Sequence, residues 1–330
     1  MADIDIFNLQ PSVISRDLKG KYLLLYGKAK VGKTSFAVQT PRALVCAFEL
    51  GVNALGGTRY IPMMKWADMK KVLSQLRKPQ AKEMYDTVVI DTVSIAFGLV
   101  EQYICSRENV ESISDIPWGQ GWTMVKNEFQ EVLREITMLG FGLVLICHSK
   151  ERQSPYTDAD GNSIMSVEPD LSKAAYTICN AICDVIGYIN VEFDNEGKSN
   201  RYLYTRQTPT IFAGSRYKYL EGKIPFGYNE LVDAIGRAID KEVENGATAV
   251  DHTEYKVAAR KSFAEVMEEA KKCWIGYLDS AKTEEEKEQK LNLMKDVVRR
   301  IFGNDQFKLS AAVPSQQDLI ELFIEEMKEI

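Results

Sequence analysis

The amino-acid sequence predicts an α/β protein with a mostly parallel central sheet, an antiparallel edge hairpin and a small helical C-terminal appendage. Short apolar runs alternate with helix-like stretches up to about residue 245, a pattern typical of doubly wound sheets. A glycine-rich loop follows the first of these runs, and the sequence becomes linker-like and then helical after Asn245. We therefore divide the chain into an N-terminal extension (1–19), a core (20–245) and a helical C-terminal region (246–330).

Length, composition and charge limit the domain organisation and the partners that can be expected. The 330 residues suit one α/β domain plus an appendage, and 45% of them are apolar. The formal net charge is −6, with 27 basic and 28 acidic residues in 1–240 against 14 and 19 in 241–330, so the acidity is concentrated in the tail. Nothing in the overall charge points to nucleic acid.

The cysteines and the N-terminus predict a cytoplasmic protein without a membrane partner. No CxxC pair occurs, and several cysteines lie in apolar runs, as expected of buried thiols in a reducing compartment. Cys179 and Cys183, spaced i, i+4, are interpreted as core residues and not as metal ligands. The sequence has no apolar run long enough for a membrane span, and "MADIDIFNLQ" lacks a signal pattern.

The elements follow in order along the chain. We predict strands from six apolar runs: 21–26, 43–48, 87–91, 141–148, 183–193 and 201–208. The last two runs flank the turn-rich segment "DNEGKSN" and are predicted to form the antiparallel hairpin. In the tail, Thr283 to Glu286 form a predicted capping box, Gly303 ends the same helix, and residues 315–318 open the final helix after Pro314.

The stretch "YGKAKVGKTS" (26–35) contains the pattern GxxxxGK[ST] between an apolar strand and a helix-compatible segment. Glycines let backbone N–H groups turn towards phosphate oxygens, the lysine reaches the outer phosphates, and the threonine hydroxyl takes a Mg²⁺ position. A glycine-rich turn that binds nothing is the alternative. The pattern predicts ATP as cofactor, bound by Gly27, Lys28, Ala29, Lys30, Val31, Gly32, Lys33, Thr34 and Ser35.

Two carboxylates are expected beside this loop. Mg²⁺ requires an acidic residue at the end of a neighbouring buried strand, and "TVVIDT" supplies Asp91, so Thr34 and Asp91 are the predicted metal residues. Many P-loop ATPases carry a catalytic glutamate directly after that aspartate, but Thr92 occupies the position here. Glu49, at the end of the strand that follows the first helix, is the predicted base; a solvated loop acid is the alternative.

These segments resemble the RecA-type ATPases over about residues 14–240. "CAFELGVNAL" is similar to their segment with a strand-end catalytic glutamate, and "VVIDTVS" is similar to their metal-binding strand. Residues 116–151, with an aromatic-glycine box, a helix and an apolar strand ending in histidine, resemble the phage RecA-like ATPases of recombination and replication modules. The resemblance implies a RecA-like P-loop core that hydrolyses ATP with Mg²⁺, in a phage protein of the bacterial cytoplasm.

The resemblance also assigns roles by position. His148 takes the strand-end sensor position, which is a glutamine in RecA itself; a neutral imidazole can hydrogen-bond the γ-phosphate or its water and relay the ATP state to the next loop. RecA-like active sites lie between subunits, which implies self-assembly and a bridging cation on a late strand. Arg206 is the preferred candidate and Arg216 the alternate, and a solvated charge cluster is the other interpretation.

Contacts with single-stranded DNA are expected from two loops, at about 105–122 and 150–172. The residues that offer phosphate and base contacts are Lys150, Arg152, Tyr156 and Lys173. Four acids, Asp158, Asp160, Glu168 and Asp170, offset this positive charge, so affinity is expected to be modest and salt-sensitive. "TDADGNS" is predicted to be a hairpin tip.

Three functions remain open. The leading hypothesis is a phage ATPase that assembles on single-stranded DNA in recombination or replication. The second is a nucleotide-gated assembly or loader factor, whose acidic helical tail binds a protein partner such as a single-strand-binding protein. The third, a small-molecule kinase, is disfavoured because no lid-like arginine cluster is found and Glu49 has a RecA-like placement.

Overall fold

The structure is a computed structural model that describes residues 13–49, 56–157, 159–250, 261–304 and 307–329. The chain divides into two compact units. Among the described residues, the larger comprises 13–250 and the smaller comprises 261–329. The larger unit contains the predicted phosphate loop, and the smaller contains the C-terminal helices.

The larger unit alternates strands and helices, as predicted. Its strands are β1 (Ile14–Ser15), β2 (Tyr22–Gly27), β3 (Ala43–Ala47), β4 (Arg59–Pro62), β5 (Thr87–Asp91), β6 (Gly142–Thr157), β7 (Ser163–Pro169), β8 (Val185–Phe193), β9 (Ser199–Tyr204), β10 (Gly214–Ser215), β11 (Lys223–Pro225) and β12 (Ala249–Val250). Its helices are α1 (Lys33–Ala37), α2 (Trp66–Leu76), α3 (Pro79–Met84), α4 (Val93–Glu108), α5 (Gln120–Met138), α6 (Lys173–Ile182) and α7 (Tyr228–Glu244).

The central sheet has the strand order β11-β9-β8-β2-β6-β5-β3-β4. The six strands from β8 to β4 run parallel, whereas β9 and β11 are antiparallel to their neighbours. The predicted α/β class and the antiparallel β8–β9 hairpin are confirmed. Strand β6 lies between β2 and β5, so a third strand separates the phosphate-loop strand from the Asp91 strand.

Helices cover both faces of the sheet. Along β2, Leu24 and Tyr26 face the side covered by α2, α4, α5 and α6. Leu23 and Leu25 face the other side, which α1 and α7 cover. Because strands buried on both faces need apolar residues at every position, the central strands appear in the sequence as continuous apolar runs.

The structure corrects two boundaries. Strand β6 continues past the predicted end at residue 148 to Thr157 and pairs with β7, so the segment after His148 is a β-hairpin. Its predicted tip includes residues 159–162, and Asp158 lies outside the described residues. Strand β12 falls in the segment predicted to be a linker and pairs with β1, Ile14 opposite Ala249. Strands β1 and β12 thus lie in the predicted N-terminal extension and C-terminal region, and both belong to the larger unit.

The smaller unit contains α8 (Phe263–Asp279), α9 (Glu284–Phe302) and α10 (Gln317–Glu329), which share an apolar core. The Thr283 hydroxyl accepts the N–H of Glu286, as the predicted capping box requires. The Glu286 carboxylate accepts the N–H of Lys282 and not that of Thr283, so only half of the box forms. Gly303 ends α9 at φ 78°, in the left-handed conformation that glycine favours.

The cysteines behave as core thiols. All six are free, and those that are fully buried are Cys46, Cys147, Cys179 and Cys183. Within the described ranges, no group of three or more His, Cys, Asp or Glu residues is arranged to hold a metal ion. Nor is any described helix both long and apolar enough to cross a membrane.

Candidate functional site

The phosphate loop connects β2 to α1 at the carboxyl edge of the sheet, where ligands of open α/β sheets bind. Its backbone requires glycine at two positions. A Cβ on Gly27 would lie 2.7 Å from the carbonyl oxygen of Ile189, on the neighbouring strand β8. Gly32 has φ 108°, which L side chains rarely adopt, and Lys30 also has a positive φ of 64°. The two glycines of the predicted pattern therefore serve the turn itself.

The Lys33 side chain lies inside this loop. It is buried, and its Nζ donates hydrogen bonds of 2.9 Å to the carbonyl oxygens of Gly27 and Lys28. Burial lowers the pKa of Lys33, and the nearby Asp91 carboxylate opposes that shift. An ammonium group held only by backbone carbonyls can exchange these bonds for stronger ones to phosphate oxygens.

Thr34 and Asp91 meet where a Mg²⁺ ion is expected. The Thr34 hydroxyl donates to Asp91 Oδ2 over 2.6 Å. Burial raises the pKa of Asp91 above 3.8; the hydrogen bond from Thr34 opposes the shift, and the charge of Glu49 adds to it. A hydroxyl and a carboxylate oxygen are hard ligands that suit Mg²⁺, which takes its remaining ligands from phosphate and water. The two residues therefore fit the predicted metal role.

Glu49 and His148 lie together at the same edge. The backbone N–H groups of Phe48 and Glu49 donate to the Asp91 carbonyl oxygen over 2.6 and 3.1 Å, which ties the end of β3 to the end of β5. His148, on β6, places its Nε2 3.2 Å from Glu49 Oε2. Both side chains stay accessible, Glu49 at 46% and His148 at 35% exposure. The predicted base and sensor, 99 residues apart in sequence, thus form one hydrogen-bonded pair.

The two predicted bridging cations are bound within their own chain. Arg206 donates to the carbonyl oxygens of Leu220 and Lys218 over 3.1 and 2.8 Å. Arg216 donates to Asp184 Oδ1 over 3.1 Å and to the Ala181 carbonyl over 2.5 Å. A bridging role for either arginine stays a prediction, and it requires these bonds to be exchanged on assembly.

Arg201 is the late-strand arginine that contacts the phosphate loop. Its Nη1 donates to the Val31 carbonyl oxygen over 3.2 Å. No role was predicted for Arg201 from the sequence. The pairing of Val191 with Arg201 in the β8–β9 hairpin brings it beside the loop, and no local pattern encodes that register.

The four predicted DNA contacts line one cavity of about 520 Å³ between the β6–β7 hairpin, α6 and residues 207–212. Lys150 donates to the Leu171 carbonyl oxygen over 2.8 Å and pairs with Asp170 over 3.2 Å. Arg152 lies 3.7 Å from Glu168. The structure thus brings Lys150, Arg152, Tyr156 and Lys173 together, with acids beside two of them.

Two exposed tryptophans were not selected from the sequence. Trp118 is 95% exposed and Trp122 is 54% exposed. Trp118 also has φ 61°, an uncommon conformation for a bulky residue. Both belong to the aromatic-glycine segment "IPWGQGW", which begins at Ile116. The sequence could have indicated their exposure, because the two tryptophans flank glycines and lie outside any apolar run.

The chain is similar to known proteins. Residues 19–217 match the protein family described as "AAA domain". The SPbeta prophage-derived uncharacterized protein YorG of Bacillus subtilis strain 168 is 30% identical over 292 residues, 86% of this chain and 87% of that protein.

Two solved structures also show some likeness. The flagellar accessory protein FlaH of Methanocaldococcus jannaschii gives a TM-score of 0.35 at 11% identity, covering 63% of this chain and 85% of that chain. A KaiC-like protein of Pyrococcus horikoshii OT3 gives 0.34 at 14% identity, covering 64% and 88%. Both likenesses are weak, so the fold assignment rests on the strand order.

Proposed function

Because the chain belongs to the AAA domain family, we propose that it hydrolyses ATP and couples hydrolysis to single-stranded DNA in phage recombination or replication. The observation that carries the proposal is the convergence of Lys33, Thr34, Asp91, Glu49 and His148 at one edge of the sheet. These side chains offer a phosphate cation, a metal pair and a base with its hydrogen-bond partner. The prophage origin of the relative YorG supports the phage assignment.

In the proposed mechanism, the loop N–H groups and Lys33 would hold the phosphates, and Thr34 and Asp91 would hold Mg²⁺. When bound, Mg²⁺ neutralises phosphate charge during phosphoryl transfer. Glu49 accepts the proton of the attacking water on its carboxylate. His148 donates to that carboxylate and so fixes its orientation, because an ionised carboxylate can only accept.

Strand β6 offers a route from the ATP site to the cavity. The strand is continuous from Gly142 to Thr157 and carries His148, Lys150 and Arg152 in that order. A change in the hydrogen bonds of His148 on ATP binding would therefore be transmitted along β6 to Lys150, which lines the cavity two residues further on. This continuity supports coupling between hydrolysis and a ligand held there.

Single-stranded DNA is the proposed ligand because cations and rings occur together there. The cavity is lined by Lys150, Arg152 and Lys173 and by the ring of Tyr156. A basic groove with aromatic side chains suits phosphates and stacked bases. Two of the cations also pair with Asp170 and Glu168, so the affinity for DNA is expected to be modest and to fall as salt is added.

The test is ATP turnover with and without an oligothymidine, at low and moderate salt. We expect stimulation by the oligonucleotide in the wild type and its loss in a Lys150→Gln, Arg152→Gln double variant that keeps basal turnover. Electron microscopy with a non-hydrolysable ATP analogue, with and without the oligonucleotide, tests assembly on the strand. Turnover that is unaffected by DNA at low salt, with no DNA-dependent assembly, would contradict the DNA part of the proposal.

A nucleotide-gated assembly or loader factor is the second candidate. The observation that favours it is that the smaller unit exposes large apolar side chains. Ile275, Leu293 and Leu322 are 57%, 51% and 43% exposed. Such side chains suit a protein partner. This function predicts ATP turnover that responds to a partner protein and not to DNA.

A further inference from the structure

Arg201 is held against the phosphate loop by two contacts. Its Nη1 donates to the Val31 carbonyl oxygen over 3.2 Å, and its guanidinium carbon lies 5.6 Å from the centre of the Phe226 ring. The Phe226 ring in turn stacks on Phe36 of α1 at 5.5 Å. A Cβ on Gly32 would lie 2.6 Å from the same Nη1, so the guanidinium borders the turn into α1.

The charge of Arg201 is not matched by an acid. Two nearby cations have carboxylate partners: Lys223 pairs with Glu192 over 2.6 Å and Arg216 with Asp184 over 3.1 Å. No ion pair to Arg201 is found in the described part of the chain, where its hydrogen bond goes to a neutral carbonyl. A guanidinium beside an anion-binding loop that lacks an acidic partner is suited to a phosphate oxygen.

The sheet order indicates which part of the nucleotide Arg201 meets. Strand β2 has β6 on one side and β8 on the other. The groups proposed for terminal-phosphate chemistry, Glu49, Asp91 and His148, come from the β6 side. Arg201 comes from β9, on the β8 side. A nucleotide whose terminal phosphate lies against these groups would extend towards β8 and meet Arg201 with its inner phosphates.

We propose that Arg201 binds the α-phosphate of the nucleotide held by its own subunit, with Phe226 as a positioning residue for the guanidinium. The inference rests on the proposed ATP site. It gives Arg201 a role distinct from a bridging cation. The α-phosphate carries the same charge in ATP, in ADP and during hydrolysis, so Arg201 stabilises ground state and transition state alike and affects affinity but not turnover.

The experiment titrates fluorescent mant-ATP and mant-ADP into the wild type, Arg201→Gln and Arg201→Lys, and measures KM and kcat for ATP. Lys198→Gln is the matched control, because it removes one charge from the same hairpin at an exposed position. We expect Arg201→Gln to raise Kd for both nucleotides roughly 10- to 100-fold and KM in parallel, with kcat within threefold. Arg201→Lys restores part of the affinity, and Lys198→Gln matches the wild type.

The outcomes separate this inference from the ATP site itself. Wild-type protein that binds neither nucleotide overturns both. Nucleotide binding by the wild type, with unchanged Kd in Arg201→Gln, overturns only the role of Arg201. A fall in kcat at unchanged Kd also overturns it and favours a cation at the terminal phosphate. Should Arg201→Gln not fold, an Arg201→Lys variant with wild-type melting and no loss of affinity overturns the proposed contact between the Arg201 guanidinium and the α-phosphate.

Discussion

At Asp91 the requirements of stability and of the proposed function oppose each other. It is buried, and burial raises its pKa above 3.8. A carboxyl whose folded-state pKa is raised contributes most stability when protonated, and that contribution is lost as pH rises through the folded-state pKa. At neutral pH the ionised Asp91 therefore costs stability, as expected of a carboxylate kept charged for the proposed Mg²⁺ site.

The first prediction follows for Asp91→Asn. The amide removes the buried charge and still accepts from Thr34, so we expect the variant to be more stable than wild type at pH 7, with the difference shrinking as pH falls towards 4. ATP turnover should fall about a hundredfold or more. Urea unfolding at pH 5, 6 and 7 measures the difference. A variant less stable than wild type at pH 7 would mean that the cost of burying the Asp91 charge is not the largest effect of this residue on the free energy of unfolding.

Lys33 gives the second prediction. Its Nζ contacts only carbonyl oxygens of its own loop, Gly27 and Lys28, so its removal takes a cation from the phosphate site without opening the core. We expect Lys33→Ala to lose ATP binding or turnover while its melting temperature stays within a few degrees of wild type. Equilibrium binding of a fluorescent ATP analogue and thermal melting measure the two effects. Normal ATP turnover in this variant would contradict the interpretation of residues 26–35 as a phosphate-binding loop.

At the scale of elements, β6 is the part that links the two proposed sites. It carries His148 beside Glu49 and Lys150 at the cavity. We expect His148→Ala to keep basal ATP turnover within about tenfold but to lose stimulation by oligothymidine. His148→Gln is the control, because an amide can make the same hydrogen bond and should retain part of the stimulation. Full stimulation in His148→Ala would exclude β6 as the route.

The elements that the sequence predicted well are those buried on both faces. Strands β2, β3 and β5 are continuous apolar runs and were placed to within about a residue. Strand β4 was missed because Arg59 to Pro62 are all exposed at the sheet edge. The outer half of β6 was missed because its polar residues pair only with β7, and the β1–β12 pair joins segments more than 200 residues apart.

The site residues also fall into those that a local sequence pattern predicted and those that depend on tertiary structure. The phosphate loop and Asp91 are local patterns, and spacing alone indicated them. The hydrogen bond between Glu49 and His148 was not predicted, since no spacing relates two residues on different strands. Arg201 depends on the register of the β8–β9 hairpin, and the carbonyl partners of Arg206 depend on the path of residues 218–220. Such tertiary relations leave no periodic signal.

At the scale of the whole molecule, the open question is whether two chains complete each active site. If Arg206 bridges to a neighbour, Arg206→Ala should keep ATP affinity and lose hydrolysis, because a bridging cation mainly stabilises charge on the transferring phosphoryl group. Mixing it with excess Glu49→Gln should restore part of the turnover, since some interfaces then pair an intact Glu49 with an intact Arg206. Steady-state phosphate release from the mixture measures this.

The same mixture also tests the opposite result. Light scattering with ATP gives the assembly state of each variant and of the wild type. No recovery in the mixture, together with a monomeric mass in the presence of ATP, would mean that Arg206 acts within its own chain. Its bonds to the carbonyl oxygens of Leu220 and Lys218 would then be its structural role.

The central claim is that this edge of the sheet hydrolyses ATP with Glu49 as the base. Single-turnover hydrolysis by wild type and Glu49→Gln, with ATP·Mg²⁺ binding measured on the same samples, tests it most directly. Glutamine keeps the shape and an acceptor for His148 but cannot take the proton. The account predicts unchanged binding and hydrolysis at least about a hundredfold slower. Hydrolysis within a few-fold of wild type would contradict it and place the base elsewhere.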